Sequence, residues 1–177
     1  MRIRILQGDI TAQEVDAIVN AANSSLLGGS GVDGAIHRAA GPELLEQCKK
    51  LRATTVRDGL PVGSAVATEA GRLPATWVIH TVGPNRRMGQ VDSRLLASAF
   101  SESLDAAAAL GAESVAFPAI SAGIFGWDPR EVGEVAASVV ARDRWPDIEE
   151  VRFVLFSDEI LAAFRAAFDG AGIPYDD

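Results

Sequence analysis

The chain has 177 residues, 48% hydrophobic and 23% charged, the size and make-up of one globular domain around one core. Its formal net charge of -8 argues against nucleic-acid binding by phosphate neutralisation, which needs clustered Lys and Arg. Cys48 is the lone cysteine and there are 2 histidines, which argues against a disulfide framework and a Cys-rich zinc site, so no metal is expected. The first apolar run breaks before a signal-peptide core could form, and no later run reaches membrane-spanning length. A cytoplasmic protein without membrane contact is therefore expected.

Ile3 and Ile5, alternating with Arg2 and Arg4, predict a short strand ended by Gly8-Asp9. Thr11-Ala-Gln-Glu14 has the form of a capping box, so a short helix is expected from Thr11, leaving Asp9 without a capping duty. Ala17-Ile-Val-Asn-Ala21 suits a buried strand. From Asp33 to Ala40 the sequence turns helical, and Gly41-Pro42 restarts a second helix with Pro42 at its first position. Strands follow at Ala65 to Glu69 and Trp77 to Val82, then an irregular loop, Gly83 to Gln90, whose Arg86 and Arg87 are expected on a solvated surface, with a place bordering the site, against substrate protein or phosphate, as the alternative.

Asp92 caps a helix whose inner face carries Leu96, Ala99, Phe100, Leu104 and Ala107 and which stops at Gly111. Ser114 to Phe117 predicts another strand, running into a second glycine loop, Ser121 to Gly126. Asp128-Pro-Arg-Glu131 reads as N-cap, N1 proline and N3 glutamate, ahead of the stripe Val132, Val135, Ala136, Val139 and Val140. Val151 to Phe156 is the last strand. Ser157 opens a final helix with Ile160, Leu161, Phe164 and Phe168 inward and Gly170 beyond its end.

This alternation predicts an α/β fold: one domain over residues 1–177, with a mixed, mostly parallel sheet between two helical layers. Ligands of such sheets bind at the carboxyl ends of the strands, the edge where Asp9 and both glycine loops fall. Gly29-Ser-Gly31-Val-Asp-Gly34 fits G-x-G-x-x-G, but its context does not fit a dinucleotide fingerprint. Seven residues, Ala22 to Gly28, separate the preceding strand from Gly29, and about 20 residues on there is neither a strand nor an acid, only Ala53-Thr54-Thr55. No Gly-Lys-Ser/Thr follows, so a P-loop is excluded as well. What remains is two sets of backbone N–H groups able to grip a diphosphate from both sides: Gly31 and Val32 at a helix start, and Ser121, Ala122, Gly123 and Ile124 in the second loop.

Two asparagines three apart, a glycine turn and a carboxylate at a helix mouth together resemble the macrodomain family. The matching stretches span nearly the whole chain: Gly8-Asp9-Ile10-Thr11, Asn20-Ala-Ala-Asn23-Ser24, Gly28 to Gly41, Val78 to Pro84, and Phe117 to Gly126. The spelling looks like the MacroD-type branch. The resemblance implies a three-layer α/β/α sandwich and a hydrolase that works without metal or cofactor. Such an enzyme removes ADP-ribose from acidic side chains of proteins and deacetylates O-acetyl-ADP-ribose.

By the same resemblance Asp9, with Ile10, reads adenine; a carboxylate accepts from adenine's amino group and repels guanine's carbonyl. Phe156 is expected against the adenine, with a core phenylalanine as the alternative. Phe125 and Gly126 are expected under the distal ribose, with Asn20 shaping the loop and touching that ribose. Asn23 can both donate to and accept from ribose hydroxyls. Asp33 sits where a helix dipole favours negative charge, which suits it to orient water and stabilise positive charge on the ribose; the alternative is a plain N-cap. His37 and His80 are expected to be structural. Ser30 stands where relatives of this branch carry glycine, and it would be strained if its φ were positive. Binding without chemistry, as an ADP-ribose reader, is the competing function. Expected partners are ADP-ribose, ADP-ribosylated proteins and O-acetyl-ADP-ribose, with nucleic acid only as an ADP-ribosylated substrate and the protein itself a monomer.

Overall fold

The computed structural model describes residues 1–177. The foreseen strands all join one sheet in the order β1-β6-β5-β2-β4-β3, formed by β1 (Arg2–Gln7), β2 (Ala17–Ala21), β3 (Ala65–Glu69), β4 (Trp77–Thr81), β5 (Ser114–Phe117) and β6 (Glu150–Leu155). Five strands run parallel, β1 through β4 in that lateral order, and β3 returns antiparallel to β4. The antiparallel return follows from connection length: only a short turn joins β3 to β4, whereas parallel neighbours need a crossover through a helix.

The helices are α1 (Gly31–Ala40), α2 (Pro42–Ala53), α3 (Ser93–Ala109), α4 (Pro129–Val140) and α5 (Asp158–Ala171). Four of the five start where the sequence predicts; α1 starts at Gly31, two residues before the expected Asp33, so Ser30 takes the cap position and Asp33 lies in the first turn instead of serving as a plain N-cap. Asp92 accepts from Arg94 N, Asp128 from Arg130 N and Ser157 from Ile160 N, and Pro42 and Pro129 occupy first turns.

Two further local expectations are corrected. No α-helix forms at Thr11. The chain makes a 3-10 turn over Ile10–Ala12, capped by Asp9, whose Oδ1 accepts from Thr11 N at 2.9 Å and from Thr11 Oγ1 at 2.6 Å. With β2 beginning at Ala17 there is no room to repay helix nucleation. Glu131 stands at N3 of α4 as expected, and its carboxylate pairs with Arg86 at 2.5 Å. Gly170 lies inside α5, and Gly172, at φ +70, ends that helix in the left-handed region.

The two faces of the sheet carry alternate residues of each strand. One face packs Ile5, Val19, Val115, Phe117, Val151 and Phe153 against α3, α4 and α5. At its centre the Phe153 ring lies 5.7 Å from Phe117, 5.6 Å from Phe164 and 5.4 Å from Phe168. The other face packs Ile18, Val78, Ala116 and Val154 against Ile36 and Ala40 of α1 and Leu44 of α2. No helix is long and apolar enough to cross a membrane.

Candidate functional site

A cleft of about 590 Å³ opens at the carboxyl ends of β1, β6, β5 and β2, the place where open parallel sheets hold ligands, and its size suits a nucleotide-sized molecule. Strand order lays its walls side by side. Asp9 and Ile10 follow β1 and Phe156 follows β6, at one end; the Ser121–Gly126 loop follows β5, in the middle; Asn23 and the start of α1 follow β2, at the other end.

Asp9 is exposed at the cleft wall. Its Oδ1 is held by Thr11, while Oδ2 has no partner and stays available. Phe156 is 73% exposed on that wall, so the alternative of a core phenylalanine is overturned. β6 ends at Leu155, which turns Phe156 outward.

Both backbone cradles exist. Ser30 is extended at φ -100, without the strain that a positive φ would bring, and its side chain makes no cap bond. The N–H groups of Gly31, Val32 and Asp33 therefore have no partner in the chain. In the second loop the N–H groups of Gly123, Ile124 and Phe125 are likewise unpaired, and Ile124 and Phe125 line the cleft. Ala122 and Gly126 depart from the expectation: neither lines the cleft, and their N–H groups are taken by Ala119 O and Gly123 O at 3.1 Å each. Ser121 holds the bend at φ +67, a conformation rarely adopted outside glycine, and its Oγ donates to Pro84 O at 2.8 Å. That contact requires Gly83, because a Cβ there would collide with Ser121 Oγ and lie 2.6 Å from Ile120.

At the β2 end, Asn23 Nδ2 donates to Gly28 O at 2.9 Å, and its Oδ1 accepts from Ser25 N and Ser25 Oγ. Asp33 is 4% exposed; its Oδ1 accepts from Asn20 Nδ2 at 2.8 Å, and its Oδ2 has no partner. Asn23 and Asp33 converge on Gly29, where a Cβ would stand 3.2 Å from Asn23 Nδ2 and 3.0 Å from Asp33 Oδ2. Only glycine keeps that space open beside an unpaired, nearly buried carboxylate oxygen. His37 Nε2 lies 3.3 Å from Asp33 Oδ1 without hydrogen-bond geometry, an electrostatic neighbour one helical turn away.

Asn20 does not reach the cleft. It is fully buried, and its amide holds Asp33 and meets His80, so the expected ribose contact gives way to a supporting position. His80 is also fully buried; burial, reinforced by the nearby His37, holds it neutral with a pKa lowered to about 3. Burial likewise pushes the Cys48 thiol up to about 11, with the Asp33 charge adding to the effect, so this cysteine is an inert core residue. No group of three or more His, Cys, Asp or Glu side chains stands close enough to hold a metal ion.

Residues 19–136 match the Macro domain family. The chain belongs to the macro domain family. It is 56% identical over 163 residues to a macro domain-containing protein of Streptomyces griseus, covering 92% of each chain. It is 52% identical to the O-acetyl-ADP-ribose deacetylase of Escherichia fergusonii, covering 89% of this chain and 90% of that one. Among solved structures it superposes on the Oceanobacillus iheyensis macrodomain with ADP at a TM-score of 0.88 and 37% identity, covering 93% of this chain and 88% of that one. The Trypanosoma brucei macrodomain in complex with ADP-ribose gives 0.84 and 32%, with 93% and 68% covered.

Within this macro domain the residue that sequence reasoning undervalued is Arg86, assigned to a solvated loop. Its guanidinium lies 4.1 Å from the centre of the Trp127 ring and pairs with Glu131, and its N–H donates to Phe125 O at 2.9 Å. Arg86 therefore braces the second glycine loop from behind. The signal was the helix-start glutamate at Glu131, whose partner lies 45 residues away in sequence.

Proposed function

We propose that this macro domain binds ADP-ribose in the cleft and hydrolyses its esters, releasing acetate from O-acetyl-ADP-ribose and ADP-ribose from acidic side chains of proteins. The observation that carries the proposal is the unpartnered, nearly buried Asp33 Oδ2 facing Asn23 across the space kept open by Gly29. A site built only to bind has little use for a desolvated carboxylate oxygen without a partner, since leaving one costs stability. Relatives about half identical to this chain are named O-acetyl-ADP-ribose deacetylases, which supports the same reading.

In this reading Asp9 Oδ2 accepts from the adenine amino group, beside Ile10, and Phe156 covers the base. The free N–H groups of Gly31 and Val32 on one side, and of Gly123 and Ile124 on the other, hold the diphosphate without any net positive charge. Phe125 packs against the distal ribose and Asn23 contacts its hydroxyls. Asp33 Oδ2 accepts a proton of one water and orients it. On O-acetyl-ADP-ribose that water adds to the acyl carbon, and the ribose oxygen leaves and takes up a proton. On a protein ester it adds to the anomeric carbon, and the side-chain carboxylate leaves. Asp33 stabilises the positive charge that develops on the ribose in the second case, and a substrate phosphate shares the proton transfer.

One observation favours the reader alternative: both polar atoms of Asn23 already have partners inside their own loop. The deciding experiment offers wild type, Asn23→Ala and Asp33→Ala two substrates, O-acetyl-ADP-ribose and a protein mono-ADP-ribosylated on glutamate. ADP-ribose affinity is measured by calorimetry alongside. Release by wild type that falls about 100-fold or more in Asp33→Ala, with affinity retained, is the expected outcome. Tight binding with no release from either substrate by wild type would make the protein a reader.

A further inference from the structure

The face of the sheet beneath α1 and α2 carries a line of buried polar side chains that crosses three strands. Asn20 on β2 is register partner to His80 on β4, and Thr68 on β3 stands on the same face, one register step away. The three are 0%, 0% and 6% exposed, and none lines the cleft. His80 Nε2 lies 2.9 Å from Thr68 Oγ1 and 3.8 Å from Cys48 Sγ, and His80 Nδ1 lies 3.2 Å from Asn20 Nδ2. Asn20 Nδ2 in turn donates to Asp33 Oδ1 at 2.8 Å.

Donor and acceptor counting fixes the protons along this line. An asparagine amide has two N–H donors on one nitrogen, and here that nitrogen faces both Asp33 Oδ1 and His80 Nδ1. Turning the amide over would set its carbonyl oxygen against an ionised carboxylate. A hydrogen on His80 Nδ1 would set two donors against each other. Each alternative places like against like in a dry interior, where an unmade hydrogen bond costs most. His80 must therefore accept at Nδ1 and carry its proton on Nε2, which donates to Thr68.

We propose that Thr68 and His80 are positioning residues for the hydrolysis. Thr68 accepts from His80 Nε2–H and so holds the ring in place, and His80 orients the Asn20 amide so that it grips Asp33 Oδ1 and leaves Oδ2 to the water. Burial that keeps His80 neutral supports the arrangement, because an imidazolium would turn Nδ1 into a donor. The groups facing this imidazole from the covering helices are His37 and Asp33 of α1 and Cys48 of α2. The catalytic consequence rests on the hydrolase reading above, whereas the tautomer does not.

The test has two arms. Long-range proton–nitrogen NMR on the folded chain at neutral pH should find His80 neutral, with Nε2 protonated and Nδ1 bare. A protonated Nδ1 would overturn the proposal whether or not the protein turns substrate over. In the second arm, His80→Asn places a carbonyl oxygen near the position of Nδ1 and should keep kcat within about threefold of wild type, whereas His80→Leu should lower kcat about 10- to 100-fold with KM and ADP-ribose affinity little changed. Thr68→Val, close in volume, removes the acceptor for His80 Nε2–H and should lower kcat less than His80→Leu while leaving Nδ1 bare. Equal kcat for wild type and His80→Leu, or losses in His80→Leu that fall on KM and affinity instead, would overturn the positioning role. If His80→Leu fails to fold, the NMR measurement and Thr68→Val still decide the matter.

Discussion

The two faces of the sheet follow opposite rules. Toward α3, α4 and α5 the strands present a 28-residue apolar cluster with five phenylalanines in mutual contact. Toward α1 and α2 the principal apolar cluster has 11 residues, and neighbouring strand positions go to Asn20, His80 and Thr68. Around the Asp33 carboxylate that second side leaves Asn20 Oδ1, Asp33 Oδ2 and His37 Nε2 buried without partners. Apolar burial and dispersion on one side supply stability, and the other side gives some of it up to hold a carboxylate in place. Stability and the proposed chemistry are thus separated by the thickness of one sheet.

The sharpest way to break this comparison is to damage each side in turn. Phe153→Ala should cost about 3–5 kcal/mol in a denaturant titration, because it opens a cavity among four rings, while turnover per folded molecule is retained. Asp33→Ala should show the reverse, with a melting temperature near that of wild type and turnover lost. A Phe153→Ala protein that is both stable and slow would erase the division.

Acid should weaken the polar side first. His80 titrates near 6.5 when unfolded and about 3 when folded, so below pH 6.5 the unfolded chain takes up a proton that the native one refuses. Its contribution is complete above pH 6.5 and is lost as the pH falls toward 3, by up to about 1.4 kcal/mol per pH unit. Urea titrations from pH 7 to 4 should record this slope in wild type and a shallower one in His80→Leu.

Smaller effects belong to the cleft walls. Asp9→Ala should weaken ADP-ribose binding about tenfold, roughly 1.4 kcal/mol, in calorimetry. It should also cost about 1 kcal/mol of stability, because Asp9 caps its own turn. The smallest effect is expected for Arg86→Ala. Loss of the Trp127 stack loosens the second glycine loop and should reduce affinity by about two- to fivefold, or up to 1 kcal/mol. An affinity equal to wild type would show that the loop holds its shape without the brace.

The fold was largely legible because its elements announce themselves locally. Asp92, Asp128 and Ser157 are caps within three residues of the N–H groups they serve, and the apolar runs at Ala17 and Val151 are bounded by turn residues. The stretch at Thr11 misled because a capping box is a local signal, whereas the room available for a helix is set by where the next strand must begin. Among the cleft-lining residues, Asp9, Asn23, Asp33 and both glycine loops were singled out by residue type together with the resemblance to the macrodomain family. Asn20 was seen but misplaced, since a single asparagine in an apolar run does not declare whether it faces ligand or neighbouring strand. Its partner His80 lies 60 residues away, and Arg86 and Glu131 are 45 apart. Pairings of that kind appear only once the chain is folded.

Ser30 stands at the start of α1 yet leaves it uncapped, and this ties the helix to its ligand. Serine is among the residues best suited to closing a helix start, and here three amides are left open toward the cleft. A diphosphate seated there, as proposed, would act as the missing cap, so part of the helix's own cohesion would be deferred until the cleft fills. In hydrogen exchange, Gly31 to Asp33 should be unprotected in the free protein and slow when it is occupied. Ligand at 100 times its Kd should add about 2.7 kcal/mol to the unfolding free energy. On the proposed reading, heat resistance would become a gauge of how full the cleft is.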